Sequence, residues 1–140
     1  LDAGAPRLYL RASCHGNPGP GAWAVALEQD GEWETSAGDE PKTTNNRMEL
    51  RAAIEGLLLL PPGSPAQLFT TSDYLYQGTT RWLASWKRGG WQKKDGQPVA
   101  NSDLWQLLDD LSRRYQVHWV NAKGQRLEGL TRAGQALTSA

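Results

Sequence analysis

Apolar and polar positions alternate with a period of two at the start of the chain. Leu8, Leu10 and Ala12 interleave with Tyr9, Arg11 and Ser13, which predicts a strand over 7–14 with one set on each face. The run Gly16-Asn17-Pro18-Gly19-Pro20-Gly21 is a dense turn signal, and a second apolar run, 22–27, follows it and predicts a strand over 22–28. Gln29-Asp30-Gly31 predicts a tight hairpin into a third strand over 32–37. From Thr44 the period changes: Met48, Ala52, Ala53, Leu57 and Leu60 recur at helical spacing, with Thr43 or Thr44 as N-cap and Pro61-Pro62-Gly63 as stop. A fourth strand is predicted over 67–71. A short helix capped by Ser72 follows, then a second one capped by Thr79 or Thr80 and broken by Gly89-Gly90. After a polar loop over 92–98, Asn101 or Ser102 caps a helix carrying Leu104, Leu107, Leu108 and Leu111. A fifth strand over 116–122 and a last helix over 130–137 complete the pattern, with 1–6 as a frayed start. Such an order predicts an α/β fold: a five-stranded mixed sheet, three antiparallel strands then two parallel, with helices on both faces.

At 140 residues the chain is expected to form one domain, 1–140. Fifteen acids balance fifteen bases, so the distribution of charge matters more than its sum. The segment 28–40 holds six acids, while 74–94 holds five bases and no acid, so a basic face is expected on a neutral chain. The lone cysteine, Cys14, excludes an internal disulfide and reads as sheet filler. No basic segment followed by an apolar core opens the chain, and the leucine run 57–60 is too short to span a bilayer. A cytoplasmic, monomeric protein with no membrane association is the expectation.

Particular runs resemble the type 1 ribonuclease H family, which cuts the RNA strand of RNA–DNA hybrids. Ser13-Cys14 with the Gly-Pro turn looks like that family's first hairpin, and the run 43–54, TTNNRMELRAAI, is nearly its most recognisable helix start. Tyr74, Gln77-Gly78, Trp82, Trp86-Lys87, Gly89 and Trp91 look like its helix and basic protrusion. Pro98-Val99, Asn101 and Asp103-Leu104-Trp105 match the next helix, and the likeness weakens beyond Gly124.

The resemblance implies a ribonuclease H-like fold and a chemistry in which clustered carboxylates hold two divalent metals about 4 Å apart. Here three of the four positions have changed. Arg11 stands for the first aspartate, Glu49 is kept, Thr71 stands for the third carboxylate, and Gly134 (or its neighbours Ala133 and Gln135) for the fourth. The family's loop histidine falls at Gln125. A fixed cation at Arg11 repels a divalent metal, and one carboxylate makes a poor magnesium site. A salt bridge between Arg11 and Glu49 is therefore expected in the metal's place. Asp73 would be a displaced ligand only if the fourth strand slid by two residues. His15 and His118 lack identifiable partners, and Asp103, Asp109 and Asp110 read as helix charges.

By the same resemblance Asn17, Asn45 and Asn46 would touch the minor groove and 2′-hydroxyls, and Thr44 and Asn101 would form a phosphate pocket. Turn and cap chemistry asks for the same residue types. Trp82, Lys87, Arg88, Trp91, Lys93 and Lys94 interleave bases with aromatics, a surface suited to phosphates and sugars. The leading expectation is thus a non-catalytic, pseudoenzyme domain without cofactor that binds RNA–DNA hybrid or double-stranded RNA. The alternatives are an active hybrid endoribonuclease with an unconventional site using magnesium or manganese, and a protein-interaction scaffold with the acid-rich 28–40 face as partner surface. No protein partner is identified.

Overall fold

A computed structural model describes residues 4–139; the expected frayed start falls partly on residues 1–3, outside the described residues. Five strands form one sheet in the order β3-β2-β1-β4-β5. β1 (Arg7–Cys14), β2 (Gly19–Gln29) and β3 (Glu32–Thr43) are antiparallel neighbours. β4 (Pro65–Thr70) runs parallel to β1, and β5 (Gln116–Asn121) parallel to β4. The helices are α1 (Asn45–Leu57), α2 (Asp73–Gln77), α3 (Leu83–Arg88), α4 (Ser102–Ser112) and α5 (Glu128–Thr138), with a π-helical turn, Gly78–Trp82, joining α2 to α3. The expected α/β architecture is what the chain adopts.

The two faces of β2 differ in size. Trp23, Val25 and Leu27 join Leu8 and Leu10 in the main core beneath α1 and α4. Ala24 and Ala26 face the other way, into a smaller core with Tyr9, Ala122, Leu130 and Ala133. Small side chains on that face let α5 lie close to the sheet: a Cβ added at Gly129 would meet the Tyr9 ring at 2.1 Å. Tyr9 in turn stacks on Phe69, ring centroids 4.6 Å apart. Helices therefore cover both faces of the sheet.

Several boundaries differ from the sequence pattern. β2 begins at Gly19 and β3 runs to Thr43, because the Gly-Pro residues continue pairing, with a register shift between Gly19 and Gly21. An irregularity of this kind accommodates Pro20, which has no N–H to donate. β3 is an edge strand, so Pro41 and the acids of 32–40 are tolerated there, and the charges discourage pairing with another chain. α1 ends at Leu57, before the Pro61-Pro62 stop, in a turn closed by Leu58 N–H to Ile54 O. Thr79 and Thr80 do not start a new helix. Their hydroxyls bond back to the carbonyls of Leu75 and Tyr76, and the chain continues as the π-turn.

That turn is shaped by Trp105, which is fully buried. Its indole lies so close to Gly78 that an added Cβ would meet a ring carbon at 2.1 Å. Among the described residues no helix is long and apolar enough to cross a membrane. Gly78→Ala is expected to destabilise the protein by about 1–3 kcal/mol through overpacking against Trp105. Urea unfolding measures this, and an unchanged midpoint would mean that the indole moves aside freely.

Candidate active site

Position 11 lies on the face of β1 that α5 covers, two residues beyond Tyr9 and opposite Ala24 of β2. Alanine leaves room there for a long side chain. The half-buried Arg11 reaches α5, where Nη1 donates to the Leu130 carbonyl oxygen at 3.2 Å. One turn further along α5, a Cβ at Gly134 would sit 3.2 Å from the same nitrogen. Of the three positions considered for the fourth carboxylate, Gly134 is thus the one facing Arg11. Ala133 is buried in the small core, and Gln135 is exposed.

Glu49 comes from the second turn of α1, whose N-cap is Thr44: its side chain accepts the Arg47 N–H at 3.2 Å. Glu49 is only 6 % exposed, and its Oε1 is a buried acceptor with no hydrogen-bond partner. Burial pushes its carboxyl up to about 7, with the Arg11 charge and the Asn45 side chain pulling the other way. The expected Arg11–Glu49 salt bridge does not form. The guanidinium is committed to the Leu130 carbonyl and acts on Glu49 only through space.

The other expected positions divide. Thr71 lies just past the end of β4, and the preceding Thr70 is fully buried, its hydroxyl accepting the Ser72 N–H. Asp73 is held by Lys123 at 2.6 Å, so it is paired rather than offered to a metal. Gln125 is exposed in the loop before α5. Asn17, Asn45 and Asn46 are exposed, Asn17 on the first turn and the pair at the start of α1. Asn101 occupies the N-cap position of α4 but makes no capping bond. It adopts a left-handed backbone, φ 60, and its side chain accepts from Arg47 and donates to the Tyr74 hydroxyl at 3.0 Å. Trp105 donates to the same hydroxyl at 2.8 Å.

Arg47 completes this network with a two-pronged contact to Asp103, at 3.0 and 2.8 Å. Its role was not read from the sequence. An arginine two residues before Glu49, with Asp103 in the first turn of another helix, offers no local signal of pairing. Each partner shifts the other: Asp103 raises the Arg47 pKa, and Arg47 lowers that of Asp103. Thr44 and Asn101 are therefore joined by Arg47 at the junction of α1 and α4.

The basic segment is built on tryptophans. Trp86 is in ring contact with Trp82, Trp91 and Trp105, and Trp82 is the most exposed of the four. Lys87 is engaged by the buried Asp109 at 3.1 Å. Arg88, Lys93 and Lys94 are exposed and form no ion pair among the described residues.

The residues at the head of the sheet do not fit a two-metal centre. Among the described residues no three His, Cys, Asp or Glu side chains stand together where they could hold a metal ion. The buried carboxylate of Glu49 has a fixed cation, Arg11, as neighbour.

Sheet order, helix placement and the Glu49-bearing helix define an α/β protein of the ribonuclease H-like class. The chain belongs to the ribonuclease H family, whose model, described as RNase H, matches residues 5–132. It is 43% identical over 136 residues to Ribonuclease H of Chelativorans sp. (strain BNC1), spanning 92% of this chain and 84% of the relative. It is 49% identical over 116 residues to Ribonuclease H of Alkalilimnicola ehrlichii, spanning 83% and 80%. Among solved structures it is similar to LC9-RNase H1, described as a type 1 RNase H with the type 2 active-site motif. That likeness has a TM-score of 0.85 and 28% identity, covering 100% of this chain and 73% of the other.

These relatives overturn the expectation of a non-catalytic protein, and with it the pseudoenzyme description and the lean against an enzyme. That expectation rested on counting lost carboxylates. The count describes one way of holding metals, whereas the likeness to proteins named as enzymes runs through most of the chain.

A pH prediction follows from Glu49. Its carboxyl binds a proton more tightly in the folded chain, about 7 against 4.5. Stability is therefore full below the unfolded value and falls as pH rises through the folded one. Glu49→Gln is expected to change stability little near pH 4 and to raise it by about 1–3 kcal/mol near pH 8. Urea unfolding at the two pH values checks this; a gain of equal size at both would contradict it.

Proposed function

We propose that the chain is an endoribonuclease acting on RNA–DNA hybrids through an unconventional centre in which Glu49 is the retained carboxylate. The observation that carries this is its extensive identity to relatives named Ribonuclease H. The site offers matching chemistry. Glu49, with its pKa raised to about 7, is suited to taking up or releasing a proton near neutrality. Asn17, Asn45 and Asn46 are exposed donors and acceptors suited to sugar hydroxyls and base edges. Arg88, Lys93 and Lys94 supply positive charge for phosphates, with Trp82 and Trp91 beside them for sugar contact. Lys87 shares its charge with Asp109 and contributes less. Thr44 and Asn101, tied through Arg47, form the frame of a phosphate pocket.

The test is incubation of the protein with an RNA–DNA hybrid labelled on the RNA strand, in magnesium, in manganese and in EDTA. Cutting of the RNA strand is expected in at least one condition, and Glu49→Gln is expected to slow it by about 100-fold or more. An intact RNA strand in all three, at enzyme concentrations above that of the hybrid, would overturn the reading.

A further inference from the structure

The guanidinium of Arg11 is housed but not satisfied. A guanidinium carries five N–H donors. Among the described residues, one hydrogen bond is formed, Nη1 to the Leu130 carbonyl at 3.2 Å, and no ion pair. The surroundings accommodate this side chain in particular. Ala24 lies opposite on β2, and Gly134 on α5 leaves the space that a larger side chain would need. A carbonyl orients one edge of the group without neutralising its charge. Glu49, whose carboxyl feels its charge, forms no ion pair with it. A half-buried, permanently charged fork with free donors suits an anion with several acceptor oxygens, and a backbone phosphate is such an anion. The same charge disfavours a divalent cation at that spot.

We propose that Arg11 binds a phosphate of the nucleic-acid backbone directly, at the head of the sheet, so that the protein engages its hybrid without any divalent metal. This rests on the hybrid reading above and extends it to a specific group and its charge. Phosphate oxygens would accept from the Arg11 nitrogens that Leu130 leaves free. Gly134 matters because it leaves the guanidinium room, and the Leu130 carbonyl because it fixes one edge.

The experiment measures binding of a short fluorescent RNA–DNA hybrid by anisotropy, in EDTA and in millimolar magnesium at matched ionic strength, across a salt series. The same samples are run on a gel for cutting. Affinity in EDTA is expected to lie within about twofold of that in magnesium. Arg11→Met is expected to weaken binding about tenfold and to lower the steepness of the salt dependence by about one phosphate's worth. Arg11→Lys, which keeps the charge, is expected to retain that steepness, and urea unfolding checks that both variants fold. Binding that requires magnesium overturns the proposal, as does Arg11→Met binding with unchanged affinity and salt dependence. Should Arg11→Met fail to fold, loss of the salt-dependent contact in Arg11→Lys also overturns it. Cutting that appears only with magnesium, beside Arg11-dependent binding in EDTA, supports both the Arg11 contact and the nuclease reading. Metal-independent, Arg11-dependent binding with no cutting in any condition supports the Arg11 contact and sinks the nuclease reading instead.

Discussion

The close approach of α5 to the sheet is the constraint on which the site depends. It is possible because one face of β2 carries alanines and because α5 has glycine where it crosses β1. Gly129 accepts the Tyr9 ring and Gly134 accepts the Arg11 head. A larger side chain at either place would lever the helix away and open the small core. With α5 in place, the carbonyl of Leu130 is within reach of β1, and an arginine in mid-strand can be held by its edge. The same residue on an open sheet face would extend into water and fix nothing.

Glu49 shows the complementary economy of the site. It stands in a helix whose start is secured by Thr44 and whose flank is tied to α4 by Arg47. Those contacts hold the carboxyl where water is largely excluded, and desolvation outweighs the attraction of Arg11. Had the two side chains met in a salt bridge, the carboxyl would be held ionised and inert near neutrality. Their separation leaves one group with an available proton equilibrium and the other with available donors.

Much of the fold was legible because it is written in local patterns. The period-two runs, the helical run from Met48 and the caps at Thr44 and Ser72 each come from a few adjacent residues. What was misread depended on distant ones. Pro20 reads as turn in the chain, yet two neighbouring strands draw it into β2. Thr79 reads as a cap, yet a buried tryptophan on α4 and a glycine at 78 keep the helix going as a π-turn. Asn101 reads as a cap, yet Tyr74 and Arg47 claim its side chain. In the site, the substituted positions are read only by likeness to the family, with Gly134 one of three candidates for the last. The geometry between them was not, since the choice of Arg11 between Glu49 and a backbone carbonyl depends on where α5 sits. A count of carboxylates covers four positions, whereas the likeness to relatives named Ribonuclease H runs through most of the chain.

The charge balance of the head of the sheet differs in kind from that of the family pattern it resembles. Four carboxylates in one small volume repel one another, and bound cations relieve that repulsion. Here one carboxylate and one guanidinium share the volume, and their formal charges cancel without added ions. Folding of this region then has no electrostatic need for a divalent cation. A phosphate approaching it meets a positive group directly, not a negative cluster masked by metal. Glu49 is shielded by burial from repelling the incoming anion as strongly as an exposed carboxylate would, and its raised pKa reduces that repulsion further on the acidic side of neutrality. The three substitutions are therefore mutually consistent: an arginine that brings charge, a glycine that gives it room, and a neutral threonine that leaves the balance unaltered.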